Sequence, residues 1–241
     1  MSGPKILVVD IETMAGKGYY WQTRDTTIGL NQIIAPSRVL CAAWKWVGEA
    51  GIHFVAEWQK GGPKAMLQAL HDALTSADAV VTYNGDRFDI TKLTGAFLKY
   101  GLKPLPPLTS IDLYKTTKKL GYDSGKMEFV LQYLEIGKKM AHEGFGLWKL
   151  VDENNVKARD RMMRYNVHDV RETDKLYRVL RPWIKNHPRL RALDPEGKHR
   201  CTACGSTRCQ HRGDRHTKAF TIERLQCTKC GKWDDGKRSK K

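Results

Sequence analysis

The sequence predicts an α/β fold, a mixed five-stranded sheet flanked by helices, followed by a small metal-stapled module. Two observations predict it. Short apolar, strand-like runs alternate with longer stretches of helical periodicity, the order that places helices on the faces of a sheet. Five of the six cysteines (Cys201, Cys204, Cys209, Cys227 and Cys230) then crowd into the last fifth of the chain, with only Cys41 outside it. That clustering is the mark of metal binding and not of a disulfide framework.

Ile6, Leu7, Val8 and Val9 form an unbroken apolar run ending in acids, the pattern of a strand buried on both faces. Residues 39–46 and 51–58 read as two more strands joined by a turn containing Gly48 and Gly51, so an antiparallel meander opens the domain. Pro63 suits the first turn of a helix reaching about Thr75, with Met66, Leu67, Leu70 and Leu74 at helical spacing. Residues 79–83 form a short buried strand. A helix over 88–100, a strand over 108–113, a helix over 127–136 and a long helix over 156–179 complete the domain. Pro182, Pro188 and Pro195 punctuate the segment after that long helix, which places the boundary near 194–198. The predicted domains are 1–194 and 198–236, with 237–241 (KRSKK) as a disordered basic tail.

Lys and Arg total 42 against 26 Asp and Glu, a formal charge of +16. Such an excess favours an acidic partner, nucleic acid first and an anionic membrane surface second. Residues 196–241 hold 13 Lys and Arg against 5 acids, half of the whole excess. No apolar run is long enough to span a bilayer, the N-terminus lacks the pattern of a signal peptide, and nothing amphipathic accompanies the charge. The expectation is a soluble cytoplasmic protein with no membrane partner. At 241 residues it is expected to carry no polymerase domain in cis.

Three motifs carry candidate chemistry. Asp10 and Glu12 lie two apart at the end of the first strand, so both carboxylates project to one face. Side by side they repel and lose hydration, and a divalent cation relieves both costs. Acids also simply terminate strands, so the pair alone is weak. The second motif, Asn84-Gly85-Asp86-Arg87-Phe88-Asp89, follows a strand and places Asp89 in the first turn of a helix, with Asp86 an alternative ligand or cap. In the third, Tyr165-Asn166-Val167-His168-Asp169, helical spacing sets the Tyr hydroxyl beside the Asp carboxylate.

DxE on a first strand, Nx3FD after a later strand and Yx3D on a C-terminal helix resemble the three exonuclease motifs of the DEDD superfamily. The tyrosine version resembles its DEDDy branch, the DnaQ-like enzymes that include the proofreading domains of family B DNA polymerases. The resemblance runs from about Lys5 to Arg181 and takes in the segment 129–139 (FVLQYLEIGKK). It implies an RNase H-like fold, Asp10, Glu12, Asp89 and Asp169 as ligands of two Mg2+ (or Mn2+) ions, and Tyr165 near the attacking water. The residue types suit that chemistry, since four carboxylates hold two hard cations. Tyrosine, with an ordinary pKa near 10, is expected to orient water more than to act as a base.

Lys157, Arg161, Arg164, His168, Arg171, Lys175 and Arg178 are spaced 4, 3, 4, 3, 4, 3 and form one basic stripe on the long helix. It reads either as a solvated face or as a phosphate track leading towards Asp169. Trp21, with Tyr19 and Tyr20, and Phe145 with Trp148 in the Gly-rich segment before the long helix, read either as stacking groups or as loop anchors. Asn84, Trp21, Arg164 and Arg171 are the candidate nucleic-acid contacts. Asp112, ending another strand near the site, reads either as a support behind the ligands or as a strand terminator, and is left outside the ligand set.

Cys201-Thr-Ala-Cys204-Gly and Cys227-Thr-Lys-Cys230-Gly are two CxxCG knuckles that suit one structural Zn2+ and look like a zinc ribbon. Cys209, His211 and His216 are spare. Arg208, Arg212, Arg215, Lys218, Arg224 and Lys229 around the knuckles point to nucleic acid, with docking onto a replication or repair protein as the competing role. The resemblance thus implies a stand-alone 3′-5′ exonuclease acting on single-stranded DNA 3′ ends, serving a bacterial or phage replication system from the (host) cytoplasm. The alternatives are an RNA 3′-end exonuclease with the same metal centre and a non-catalytic nucleic-acid-binding protein.

Overall fold

The computed structural model describes residues 5–24, 26–141, 143–185, 187 and 199–240. Its main sheet is built from β1 (Ile6–Met14), β4 (Arg38–Trp46), β5 (His53–Ala56), β6 (Ala79–Thr82) and β7 (Ser110–Asp112), in the order β5-β4-β1-β6-β7. β4 pairs antiparallel with β1 and β5, the expected meander, while β6 and β7 run parallel to β1. Between β1 and β4 lies a two-stranded flap, β2 (Lys17–Gly18) and β3 (Ile33–Ala35).

Period-two alternation divides β1 between two cores. Leu7, Val9 and Ile11 face α1 (Gly62–Thr75) and α2 (Asp89–Lys99), packing with Leu67, Leu70, Leu74, Leu93 and Phe97. Ile6 and Val8 face the other layer, where Val130 and Leu131 of α4 (Met127–Tyr133) meet Val170, Leu176 and Tyr177 of α6 (Val156–Leu180). A third cluster joins α5 (Phe145–Asp152) to α6 and β4 through Leu147, Val151, Met162 and Leu40. α3 (Leu113–Thr117) follows directly on β7.

The long helix is capped as its sequence suggests, with the Asn155 side chain accepting from the amide of Ala158 at 3.0 Å. The Gly-rich segment that holds Phe145 and Trp148 forms α5. Helical spacing brings Leu147 and Val151 onto one buried stripe, a pattern that the flanking glycines hide.

The C-terminal module is a three-stranded antiparallel sheet, β8 (Cys209–His216), β9 (Phe220–Cys227) and β10 (Trp233–Lys240), in the order β10-β9-β8. Lys237 to Lys240 are not a disordered tail. After a register shift β10 continues to pair with β9, with Arg238 opposite Ile222 and Lys240 opposite Phe220. The basic run is tolerated because an edge strand leaves its side chains in water. The predicted boundary at 194–198 lies outside the described residues. No helix among the described residues is long and apolar enough to cross a membrane.

Candidate functional site

The alternation that buries Val8 sends Asp10 and Glu12 to the same side of the sheet, towards α6. There α6 presents Tyr165, Asn166 and Asp169, all buried. Oxygens of Asp10, Glu12 and Asp169 lie within 4.8 Å of one another, although the residues are separated by most of the chain. Asp89, at the start of α2, reaches the same strand from below, its Oδ1 accepting from the amide of Ile11 at 3.1 Å. It stands outside that three-acid group, close enough for its charge to act on Asp10.

The arrangement is electrostatically expensive. Burial, then the charges of Asp89, Glu12 and Asp169, push the Asp10 carboxyl well above the ordinary range. Burial followed by Asp169 lifts Glu12 to about 8, and burial lifts Asp89 to about 7 against the opposing amide bond from Ile11. Asp169 is raised by burial despite a neighbouring ammonium. Tyr165 is driven up by burial and by Asp169, away from any role as a base at neutral pH.

Two further residues hold the cluster. Asn166 donates Nδ2 to Asp10 Oδ2 at 2.7 Å, fixing that carboxylate. Lys139 Nζ lies 2.8 Å from Asp169 Oδ2 and 3.3 Å from the Tyr165 hydroxyl. Burial alone lowers the pKa of the Lys139 ammonium, and Asp169 more than reverses this, so it stays charged. Lys139 belongs to no periodic element, so nothing in the sequence ties it to Asp169. Its approach requires Gly137, where an added Cβ falls 1.8 Å from Glu172 Oε2 on α6.

The turn after β6 is equally specific. Asn84 adopts φ +66°, and a Cβ at Gly85 falls 2.4 Å from the Thr82 side chain. Asp112 pins this turn, accepting from the amides of Asn84 at 2.8 Å and Tyr114 at 3.0 Å. Asp86 bonds to Ser110 and Lys115, away from the other acids. Trp148 stacks edge-on to Tyr165 at 6.1 Å, whereas Trp21 is 98% exposed on the flap.

On the basic stripe, Arg161 pairs with Glu143 (3.0 Å), Arg164 with Asp160 (2.6 Å), Lys175 with Glu172 (2.7 Å) and Arg178 with Asp174 (3.1 Å). Among the described residues, Lys157 and Arg171 have no carboxylate partner.

The acid centre suits hard divalent cations by its donors, oxygens from three or four carboxylates. One observation adds to this: Asp169 Oδ1 is buried and accepts no hydrogen bond among the described residues, a costly state that a cation relieves. In the C-terminal module the sulfurs of Cys201, Cys204, Cys227 and Cys230 also lie within 4.8 Å of one another. Cys201 to Cys230 is 3.5 Å and Cys204 to Cys227 is 3.6 Å. Four sulfurs around a tetrahedral Zn2+ at about 2.3 Å lie about 3.8 Å apart, so the cluster fits. The two knuckles repeat one geometry. Gly205 and Gly231 take positive φ, and their amides donate to Cys201 O and Cys227 O, each at 2.9 Å. Burial raises the thiols of Cys201 and Cys230, the latter to about 11, whereas at Cys227 amides of Cys230 and Lys229 outweigh burial and hold the thiol at about 7. Of the spare donors, His211 is engaged with Asp214 and His216 with Thr221, while Cys209 packs against the cluster opposite Cys227 and points its thiol at the carbonyl of Ser206.

A mixed sheet in this order, with helices on both faces, defines an RNase H-like α/β protein with a small ribbon of the zinc-binding kind. Residues 27–181 match the family described as the RNase_H superfamily, and the chain belongs to it. The matched segment includes Asp89, Tyr165 and Asp169 and begins beyond Asp10 and Glu12. Among solved structures, the chain is similar to the family B DNA polymerase from the hyperthermophilic archaeon Pyrobaculum calidifontis. The TM-score is 0.56 at 18% identity over 76% of this chain and 25% of the polymerase, a likeness of fold. The chain thus spans about a quarter of that protein. No curated protein matches the sequence.

Proposed function

We propose that the protein is a metal-dependent 3′-5′ exonuclease acting on single-stranded DNA and releasing nucleoside 5′-monophosphates. The observation that carries this reading is the convergence of Asp10 and Glu12 from β1 with Asp169 from α6 in a nuclease-type fold. The polarity and substrate rest on the resemblance of the three motifs to DEDDy exonucleases.

In this reading Asp10, Glu12, Asp89 and Asp169 hold two Mg2+ or Mn2+ ions. Such ions supply an activated water at neutral pH and shield charge on the leaving oxygen. The chain's own groups do the rest. Asn166 fixes the Asp10 carboxylate, and Tyr165, protonated at neutral pH, orients the attacking water by its hydroxyl. Lys139 offsets part of the negative charge at Asp169 and steadies the Tyr165 hydroxyl. Residues 1–194 form the catalytic domain, and the chain from 198 through the end of β10 forms a module stapled by one Zn2+ on Cys201, Cys204, Cys227 and Cys230.

The test is cleavage of 5′-labelled single-stranded DNA, duplex DNA and RNA with Mg2+ or Mn2+. A descending ladder on single-stranded DNA is expected. Preference for RNA assigns the alternative substrate, and no cleavage of any of the three overturns the nuclease reading.

A further inference from the structure

Outside the carboxylate centre, the ribbon carries a second constellation. The antiparallel register sets Trp233 opposite Gln226, Asp235 opposite Arg224, and Arg215 opposite Ile222. Side chains alternate along each strand, so Arg215, Arg224, Trp233 and Asp235 share one face of the sheet. They line a cavity of about 340 Å³ together with Lys232, Asp234 and Lys185, the last from the segment just after α6.

Its two acids are already committed. Asp234 accepts from the amide of Thr202 at 2.9 Å and faces His199, while Asp235 holds Arg215 at 3.0 Å. Among the described residues no carboxylate pairs with Arg224, Lys232 or Lys185. The Arg224 guanidinium lies 4.8 Å over the Trp233 ring, and Lys232 donates to the carbonyl of Ile184. That last contact ties the ribbon to the main domain beside Trp183.

Lys185 also lines an adjoining cavity of about 270 Å³, with Lys115, Lys119 and Trp183. Its one acid, Asp112, is occupied by the amides of Asn84 and Tyr114. Trp183 is 67% and Trp233 45% exposed. No member of the carboxylate centre lines either cavity. Two exposed indoles interleaved with Arg224, Lys232, Lys185 and Lys119, none of them paired with a carboxylate among the described residues, match what a single strand offers, base faces to stack and phosphates to neutralise.

We propose that these adjoining cavities form one binding track for single-stranded nucleic acid, with Trp183 and Trp233 stacking bases and Arg224, Lys232, Lys185 and Lys119 contacting phosphates. The track rests on the nuclease reading only for its effect on cleavage, since binding is measured without turnover.

The experiment is fluorescence anisotropy of a labelled 20-nucleotide single strand in the Asp10→Ala background, with zinc content measured for each variant to verify the ribbon. Trp233→Ala and Trp183→Ala are each expected to weaken binding about tenfold, and Trp233→Phe to restore most of it. Arg224→Glu and Lys185→Glu are each expected to lower the slope of log Kd against log salt by about 1. With Asp10 restored, the same variants raise KM on the 20-mer and leave cleavage of a trinucleotide unchanged. Unchanged affinity in Trp233→Ala and Arg224→Glu proteins that retain zinc overturns the track. An equal loss on blunt duplex also overturns it, because a duplex hides its base faces. A binding loss in a protein that cleaves nothing leaves the track standing and fails only the nuclease reading.

Discussion

The carboxylate centre and the cysteine cluster both gather groups that could hold a cation, yet they differ in what holds them together. Asp10, Glu12 and Asp169 are mounted on β1 and α6, elements already packed by two large apolar cores. The fold brings the acids together against their repulsion, with Lys139 and Asn166 as partial compensation. Among the described residues of the ribbon, the buried apolar set amounts to Cys201, Ala203 and Cys227, with Ile222 nearby. That is too little to order a three-stranded sheet by itself, so the order of the ribbon is expected to depend on the proposed zinc. One site stores strain in a frame packed by its own cores, and the other lacks such a core among the described residues.

The largest expected effect separates activity from stability at the first site. Asp169→Asn or Asp10→Ala is expected to lower metal-dependent cleavage on the order of 10³-fold or more. Asp10→Ala leaves the metal-free thermal midpoint unchanged or raised, because one member of a repelling set is gone, whereas Asp169→Asn also strips Lys139 of its partner and lowers it. Full activity in either variant removes the proposed centre. Cys204→Ser is the mirror case. Zinc content falls, the amide spectrum of residues 199–240 collapses to unfolded positions, and the trinucleotide is still cleaved. A ribbon that stays folded without zinc breaks the contrast.

Protonation sharpens it further. Glu12 at about 8 and Asp89 at about 7 bind protons more tightly in the folded state than in the unfolded one. Stability from their protonation is fully present below about pH 4 and is lost as pH rises through 7 to 8. The metal-free midpoint of the main domain is therefore expected to fall by several degrees between pH 5 and 9, and Mg2+ to flatten that slope. A midpoint that rises over this range shows that the acids are not strained. Lys139→Met adds to the same test. Removing one partner of a mostly buried pair costs about 2 kcal/mol without metal, discounted for the exposed part of the lysine, and Mg2+ recovers much of it.

Much of this was legible in the sequence, for identifiable reasons. The run from Ile6 to Val9 followed by Asp10 and Glu12 gives strand, burial and shared face from local pattern alone. The repeated CxxCG spacing gives four ligands without any tertiary knowledge. Lys139 and Asn166 are not legible as parts of the site, because each acts through a partner distant in sequence, Asp169 and Tyr165 for the first and Asp10 for the second. The basic run from Lys237 was misread as a tail because strand pairing of an exposed edge depends on β9 and leaves no apolar alternation. α5 was hidden for a related reason, since its glycine-rich approach outweighs a stripe of only two buried residues.

The smallest effect concerns which region grips the phosphate backbone. The stripe on α6 looks like a track in sequence, but Arg164 is spent on Asp160 at 2.6 Å, whereas Arg171 has no carboxylate partner among the described residues. Exposed pairs of this kind contribute well under about 1 kcal/mol, so phosphate competes for Arg164 on nearly even terms. Charge reversal at Arg171 is therefore expected to lower the salt slope of single-strand binding by about 1, and reversal at Arg164 by less. Both should fall short of the combined Arg224→Glu and Lys185→Glu protein. If the α6 variants flatten the slope more than that pair, the grip lies beside Asp169 and not on the ribbon. The ribbon's charge would then serve something other than nucleic acid.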